Sequence, residues 1–384
     1  MRIALVSDCY LPRLGGIELQ VHDLAVQLSR AGHAVTVFTT TDGPSAAGDV
    51  PVVRLQSLAG IPLPAAIDTL RKALDSFDVV HAHTSLLSPL SWLAARHAVA
   101  PMITMHSLPN ASMPWPMAQI DRYIGQAKWT AVSGVVADRL RRSLAAKPVD
   151  VLHNGVDPEH WRQPRQPGYR LTIVSTMRLT RRKRPLALLR TLGRIRELVP
   201  ADTAVRAIVV GAGPQATAVA AAARGLGLAS WVDLPGRLTR FEIQQLYATA
   251  DIYLAPAELE SFGVAALEAR CAGLPVVAMA SGGVGEFIRH GVEGYLVDSD
   301  AQMAQATAAM LTSPALLSRI QAHNYTTDPS MTWEHVIAQH ITAYQTQTSL
   351  SALPLASAIA PSSETSIATA PNASRANEPM VRRA

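Results

Sequence analysis

Short apolar runs rich in β-branched residues recur along the chain, with amphipathic stretches between them. Ile3–Val6, Ala34–Thr39, Val79–His81, Met102–Met105 and Thr130–Val132 read as buried strands of a parallel sheet. Between them lie helical patterns such as Glu18–Ala31, which carries Leu19, Leu24 and Leu28. The alternation pauses at Asp157–Gly168, where Trp161, Pro164 and Pro167 sit in a polar, proline-rich passage that reads as a linker. It then restarts with Leu171–Ser175, Val205–Val210, Trp231–Leu234, Ile252–Ala255, Pro275–Ala278 and Gly294–Val297. Two consecutive β/α runs predict an α/β protein of two doubly wound, Rossmann-like domains with a cleft between them. The predicted boundaries are 1–162 and 163–331, then a helix at 332–345 returning to the first domain. From Thr346 the sequence is Ala, Ser, Thr and Pro without an aromatic residue, so 346–384 is expected to be a disordered tail. The Asn372-Ala373-Ser374 sequon in that tail is set aside, because no secretion signal accompanies it.

Composition narrows the setting. At 384 residues the length fits two domains of about 150 residues each. Mean hydropathy is +0.15, yet no apolar run approaches the roughly 18 residues of a membrane span. The apolar run at the N-terminus ends at Ser7-Asp8, too soon for a secretory signal. Cys9 and Cys271 make neither a disulfide framework nor a zinc site. The expected location is therefore the cytoplasm.

The net charge of +5 has a definite address. Eleven arginines and lysines lie between Arg162 and Arg196 without one Asp or Glu among them. Arg178 follows a predicted strand, and Arg181-Arg182-Lys183-Arg184 lead into the helix at Pro185. Cations at a strand's carboxyl end suit a phosphate in the crevice. The alternative is a solvated face or a nucleic-acid patch, but only Trp161 and Tyr169 supply nearby aromatic rings. Two further features concern glycine. The turn Ser7–Gly16 ends in Gly15-Gly16 just before a helix, which suits either close approach of an anion or a turn needing positive φ. In Glu260-Ser-Phe-Gly-Val-Ala-Ala-Leu-Glu268 a helix starts at Gly263. Its amides face the crevice, and Glu268, one turn in, could accept from a vicinal diol such as ribose. Glu260 precedes the helix, nearer whatever fills the cleft. The bland reading is two surface glutamates at a helix start.

Taken together, these motifs resemble a known family. Y10-L-P-R-L-G-G16, T104-M-H106-S, H153-N-G-V-D157, R178-L-T-R-R-K183, the E260-x7-E268 element, G282-G-V-G-E286 and G291-V-E-G-Y-L-V297 occur in order. They are similar to those of the retaining glycosyltransferases of family 4, which have the two-domain GT-B fold. The resemblance runs from Met1 to about Tyr344. It implies a nucleoside diphosphate sugar held mainly on the C-terminal domain. Arg178 and Lys183 match the diphosphate-binding pair, Glu268 the ribose carboxylate and Glu260 the carboxylate beside the donor sugar. Amides of Phe262, Gly263 and Val264 would meet sugar or phosphate, and Gly15 and Gly16 would close from the other domain. The segment Gly236, Arg237, Leu238 and Thr239 is similar to the part holding the base, and His106 matches a histidine near the sugar. The pattern is most similar to bacterial GDP-mannose-dependent mannosyltransferases, including those building phosphatidylinositol mannosides, which are enzymes of cell-envelope glycan assembly.

The chemistry of such a site is consistent with its residue types. Breaking the anomeric bond leaves charge on the diphosphate, which arginine, lysine and helix dipoles can stabilise in place of a divalent metal. No metal or other cofactor is expected. Asp298-Ser299-Asp300 is an Asp-x-Asp pattern, but it ends a strand and begins a helix, so Ser299 or Asp300 reads as a cap. His81 and His83 read as structural, and Glu286 as a residue ordering its own glycine loop. The family usually has proline where Gly285 stands. The acceptor is expected on the N-terminal domain, as a glycan, glycolipid or lipid-linked molecule. Pro109, Met113, Pro114, Trp115, Pro116 and Met117 form an apolar loop beside His106 that suits such an acceptor or ordinary packing. Val135–Lys147 is basic and amphipathic, fit either for the anionic inner face of the plasma membrane or for burial within the domain. UDP-glucose or UDP-N-acetylglucosamine is the alternative donor. A non-catalytic nucleotide-sugar or nucleic-acid binding protein is the alternative of another class, and the paired glutamates argue against nucleic acid.

Overall fold

The computed structural model describes residues 1–108, 114–166 and 168–351. The first half forms β1 (Arg2–Ser7), α1 (Gly16–Arg30), β2 (Ala34–Thr39), β3 (Ala46–Ala47), β4 (Val50–Arg54), the short hairpin β5 (Ser57–Leu58) and β6 (Ile61–Pro62), and α2 (Pro64–Leu74). It continues through β7 (Val79–Thr84), α3 (Pro89–His97), β8 (Pro101–Met105), α4 (Pro114–Ile124), β9 (Lys128–Ala131), α5 (Gly134–Ser143) and β10 (Asp150–Val151). After α6 (Pro158–Trp161) the second half forms β11 (Leu171–Thr176), α7 (Pro185–Leu198), β12 (Val205–Val210), α8 (Ala216–Gly225), β13 (Val232–Gly236), α9 (Arg240–Thr249) and β14 (Ile252–Ala255). It ends with α10 (Val264–Cys271), β15 (Val276–Met279), β16 (Gly294–Val297), α11 (Asp300–Leu311), α12 (Pro314–Thr326) and α13 (Trp333–Ser351).

Among the described residues the first sheet runs β10-β9-β8-β7-β1-β2-β4-β3, and the second β13-β12-β11-β14-β15-β16. Every pairing in them is parallel except β3 with β4. The α/β, doubly wound fold class read from the sequence is the one formed. Strand order reverses between β1 and β7 in the first sheet and between β11 and β14 in the second. Such switch points open a crevice outside the strands' carboxyl ends. They set the Ser7–Gly16 turn opposite the Arg178 and Glu260 loops.

One hydrophobic core fills the first domain and continues through Trp161, Tyr247, Phe262 and Leu267 into the inner layer of the second. Another lies between the second sheet and its outer helices, with Leu188, Leu192, Met303 and Leu311. α13 returns to the first domain, where Tyr344 is fully buried and Gln347 donates to the carbonyl of Pro101.

Several expectations change. α13 continues to Ser351, past the predicted end at Gln345, and the rest of the predicted tail with its sequon lies outside the described residues. The linker is anchored: Trp161 is buried, Gln166 donates its amide to Ala248 and Arg165 pairs with Asp251 at 2.8 Å; Pro167 lies outside the described residues. The basic amphipathic stretch becomes α5, with Val136, Leu140 and Leu144 packed in the core, so that stripe is not a membrane-facing surface. It stops short of Lys147 because Ala145 and Ala146 take left-handed conformations. Pro109 and Met113 of the apolar loop lie outside the described residues. No helix among the described residues is long and apolar enough to cross a membrane.

Candidate active site

Second-domain groups gather at the carboxyl ends of β11 and β14. After β11 the chain passes Arg178, makes a single 3-10 turn at Arg181–Lys183 and enters α7 through Arg184, whose φ of 56° is left-handed. That conformation costs an ordinary residue about 1–2 kcal/mol. It is held by a two-pronged pair with Asp300 at 2.9 and 3.0 Å and a bond to the carbonyl of Pro256. The bend aims Lys183 back over the cleft, where its Nζ lies 2.5 Å from Glu260 Oε2. Arg182 donates to the carbonyl of Leu259 and to Ser261 Oγ. Arg178 is exposed and has no acid partner among the described residues. Gly263, at φ 97°, caps α10, and a Cβ there would stand 2.7 Å from Val284. The amides of Phe262, Gly263 and Val264 donate to nothing among the described residues. Free N–H groups at a helix start, near the Lys183–Glu260 pair, are donors of the kind that suit an anion.

Glu268 lies one turn into α10, its side chain 15% exposed. Burial pushes its carboxyl up to about 7; Arg240 acts against the rise and Asp23 adds to it. Arg240 offsets little because its guanidinium is 3.7 Å from Glu268 while pairing with Asp23 at 2.9 Å. Asp23 belongs to α1, so Arg240 ties the two domains beside Glu268. Gly236, Arg237 and Leu238 run from β13 to Thr239, which forms a capping box with Glu242. This brings the predicted base-holding segment next to Glu268.

Facing these groups, Gly15 has φ −166°, so the positive-φ reading of this turn fails. A Cβ at Gly15 would meet the Glu18 carboxylate at 2.3 Å. Glu18 is buried and pairs with Arg13 at 3.2 Å, so a carboxylate already sits beside the helix start where an anion was expected. Gly16 is open. His106 follows β8, with its Nε2 2.9 Å from His83 Nδ1. Two residues on, the Leu108 amide donates to Ser261 Oγ at 3.1 Å, and Ser133 Oγ donates to the Ser261 carbonyl at 2.6 Å. The Glu260 loop is thus braced against the strand ends that carry His106.

Glu286 departs from expectation. It accepts from the Gly134 amide at 2.8 Å and from His153 Nε2 at 2.9 Å, both in the first domain. The hydrogen bond from His153 holds its carboxyl below the usual range, against the effect of burial. It bridges the domains rather than ordering its own loop. Ser299 accepts from the Gln302 amide as the cap of α11, and Asp300 is committed to Arg184. Sequence reasoning missed Arg182, Ser133, Ser261 and the Asp23–Arg240 pair. Nothing in their spacing signals them, because each acts on a residue more than 70 positions away.

Comparison with known proteins agrees with this architecture. Residues 14–160 match the model for Glycosyltransferase Family 4, and residues 157–326 that for Glycosyl transferases group 1. The chain is 28% identical to a D-inositol 3-phosphate glycosyltransferase of Rhodococcus opacus, covering 87% of this chain and 86% of that one. It is 28% identical to a GDP-mannose-dependent alpha-(1-6)-phosphatidylinositol monomannoside mannosyltransferase of Mycobacterium tuberculosis, covering 81% and 89%. Among solved structures, Anabaena HepE in complex with UDP superimposes with a TM-score of 0.74 at 18% identity, covering 90% of this chain and all of that one.

Proposed function

The chain belongs to glycosyltransferase family 4 and has the GT-B fold, and from that premise we propose that it is a retaining, metal-independent mannosyltransferase using GDP-mannose. The observation that carries this reading is the cluster at the start of α10, where Lys183 meets Glu260 and the amides of Phe262, Gly263 and Val264 stand free among the described residues. In this reading Arg178, Lys183 and the amides of Phe262, Gly263 and Val264 hold the diphosphate. Glu268 takes the ribose hydroxyls, Gly236, Arg237 and Leu238 flank the base, and Gly15 and Gly16 close over the donor. His106 and Glu260 meet the sugar.

The bond between the anomeric carbon and the phosphate oxygen breaks, and its electron pair stays with the phosphate. The acceptor oxygen bonds to the anomeric carbon on the same face, and its proton passes to the departing phosphate oxygen. Arg178 and Lys183 stabilise the charge that develops there. Lys183 has three donors, so it can keep Glu260 and still reach a phosphate oxygen. Glu260 then lies where positive charge grows on the sugar.

GDP-mannose is preferred as donor because the mycobacterial relative is GDP-mannose-dependent by name. The acceptor in this reading is a glycan, glycolipid or lipid-linked molecule, and the relatives' names make an inositol-bearing headgroup the first to try. An apolar acceptor portion is supported by Leu58, Ile61 and Leu87, which are 74%, 61% and 79% exposed beyond the carboxyl ends of β4 and β7. The reading puts the enzyme in the cytoplasm, working at the inner face of the plasma membrane when the acceptor is lipid-linked. A thermal-shift panel of nucleotide sugars tests it. GDP-mannose at 100 times its Kd should add about 2.7 kcal/mol, more than UDP-glucose or UDP-N-acetylglucosamine. Stabilisation by a nucleic acid and by no nucleotide sugar would overturn it.

The raised Glu268 pKa gives a pH signature. Ribose hydroxyls donating to the carboxylate favour its charged form, so binding expels the proton that the free site holds below about 7. Donor affinity should therefore rise with pH to about 7 and level off above it, with a limiting slope of about tenfold per unit below. The sugar-capped diphosphate does not titrate in this window. Calorimetry on the parent and on Glu268→Gln, in which the dependence should vanish, checks the assignment.

A further inference from the structure

Beneath His106 lies a cavity of about 10 Å3, the size of one water. Gln20, His83, His106 and His340 are among the residues lining it. Gln20 Nε2 donates to the carbonyl of Gly155 at 3.3 Å. A carbonyl only accepts, so the amide orientation is fixed and Oε1 turns away, buried and without a partner among the described residues. His340 Nδ1 lies 2.8 Å from the carbonyl oxygen of Val336. By the same reasoning Nδ1 carries that ring's proton, and Nε2 is an acceptor. Two lining residues therefore bring acceptors to this space.

His83 is 4% exposed, and its Nε2 is buried without a partner among the described residues. Unsatisfied buried polar atoms are rare and costly. His83 Nε2 does not bond Gln20 Oε1 directly, so the groups meet through the water-sized space they line. A water has two protons, too few for three acceptors, whereas a proton on His83 Nε2 lets it accept from His83 and donate to Gln20 and His340. Burial pushes His106 down to about 3, with His340 adding to the effect, and holds His83 well below its ordinary value. Both rings are thus neutral at working pH, and each has one proton to place. With the proton of His83 on Nε2, its Nδ1 is a lone pair, and His106 Nε2 at 2.9 Å must be the donor.

We infer that His83, backed by Gln20, is a positioning residue that locks His106 in the Nε2–H tautomer, so that His106 offers a sugar hydroxyl the lone pair on Nδ1. The inference rests on His106 lying beside the donor sugar, as proposed above. His83 touches no substrate; it decides whether His106 accepts from or donates to a hydroxyl. A weakly basic imidazole accepts that hydrogen bond without removing the proton, which leaves the departing phosphate oxygen as the proton's destination.

The test combines imidazole 15N NMR of the full chain with kinetics. The His106 signals are assigned by their loss in His106→Gln, and the parent should show protonated Nε2 and bare Nδ1. His83→Asn sets an amide oxygen near the position of Nδ1, so it should keep the tautomer and most of kcat. His83→Leu should release the tautomer and lower kcat on the order of 100-fold with little change in donor KM. A protonated Nδ1 in the parent, or parental kcat in His83→Leu, would overturn the inference. If no nucleotide sugar is turned over, the proposed function fails, while the NMR result still decides the tautomer.

Discussion

Arg178→Ala and Lys183→Ala should each lower kcat/KM by about 100- to 1000-fold, the range found when a preorganised group facing developing transition-state charge is removed. The two losses should differ in kind. Arg178 is exposed and has no acid partner among the described residues, so its removal subtracts cation from the diphosphate site and disturbs little else. Nucleotide affinity should fall with turnover in Arg178→Ala, and unchanged nucleotide binding by calorimetry would sink the diphosphate assignment. Lys183 also neutralises Glu260, whose side chain is 17% exposed. Lys183→Ala therefore leaves a half-buried carboxylate facing an anionic donor, and Lys183→Arg should recover part of the loss by restoring the charge. Arg184, the next residue, is the internal control. Its guanidinium is spent on Asp300, Glu258 and the carbonyl of Pro256. Arg184→Ala should lower the melting temperature through the lost bend, rather than weaken donor binding by folded molecules through lost charge.

That contrast shows where sequence reading reaches and where it stops. Strands such as Ala34–Thr39, Val205–Val210, Ile252–Ala255 and Gly294–Val297 were legible to the residue, because mostly apolar runs, interrupted inside only by Thr36 and Arg206, are closed by Thr40, Gly211, Pro256 and Asp298. β4 (Val50–Arg54) was not, since proline and partial exposure dilute the run near the sheet's edge. The basic stretch from Arg162 to Arg196 looks uncompensated along the chain, but four of its eleven cations pair with acids in space. Arg162 meets Glu159 and Asp328, Arg165 meets Asp251, Lys183 meets Glu260, and Arg184 meets Glu258 and Asp300. Local charge counting cannot see partners that a parallel sheet delivers from 70 to 170 residues away. The same holds for Glu286, whose partners Gly134 and His153 lie on the other domain. The motifs proposed to hold the donor could be read as neighbours because one strand end, one loop and one helix start carry them. The bracing across the cleft by Ser133, Ser261 and the Asp23–Arg240 pair was not.

Glu260→Gln should reduce kcat by about 100- to 1000-fold while the product keeps the donor's anomeric configuration. In same-face displacement Glu260 holds no bond to the sugar. It supplies negative charge beside the carbon that turns cationic, and it orients Lys183 toward the leaving phosphate. The amide keeps the shape and a hydrogen bond to Lys183 but loses the charge, so the loss should be that of one electrostatic group. A nucleophilic role predicts otherwise. The carboxylate would form a glycosyl ester, and its removal should cost about 10⁶, as for other covalent nucleophiles. Two measurements separate the cases. Mass spectrometry of the parent quenched during turnover with a slow fluorinated donor should show no added hexose on the peptide containing Glu260, and NMR of the first product should show retention. A hexosylated Glu260 peptide would replace same-face displacement with a two-step reaction. Turnover of Glu260→Ala at the parental rate would remove Glu260 from the mechanism altogether, because its place beside Lys183 at the start of α10 would then serve only the fold.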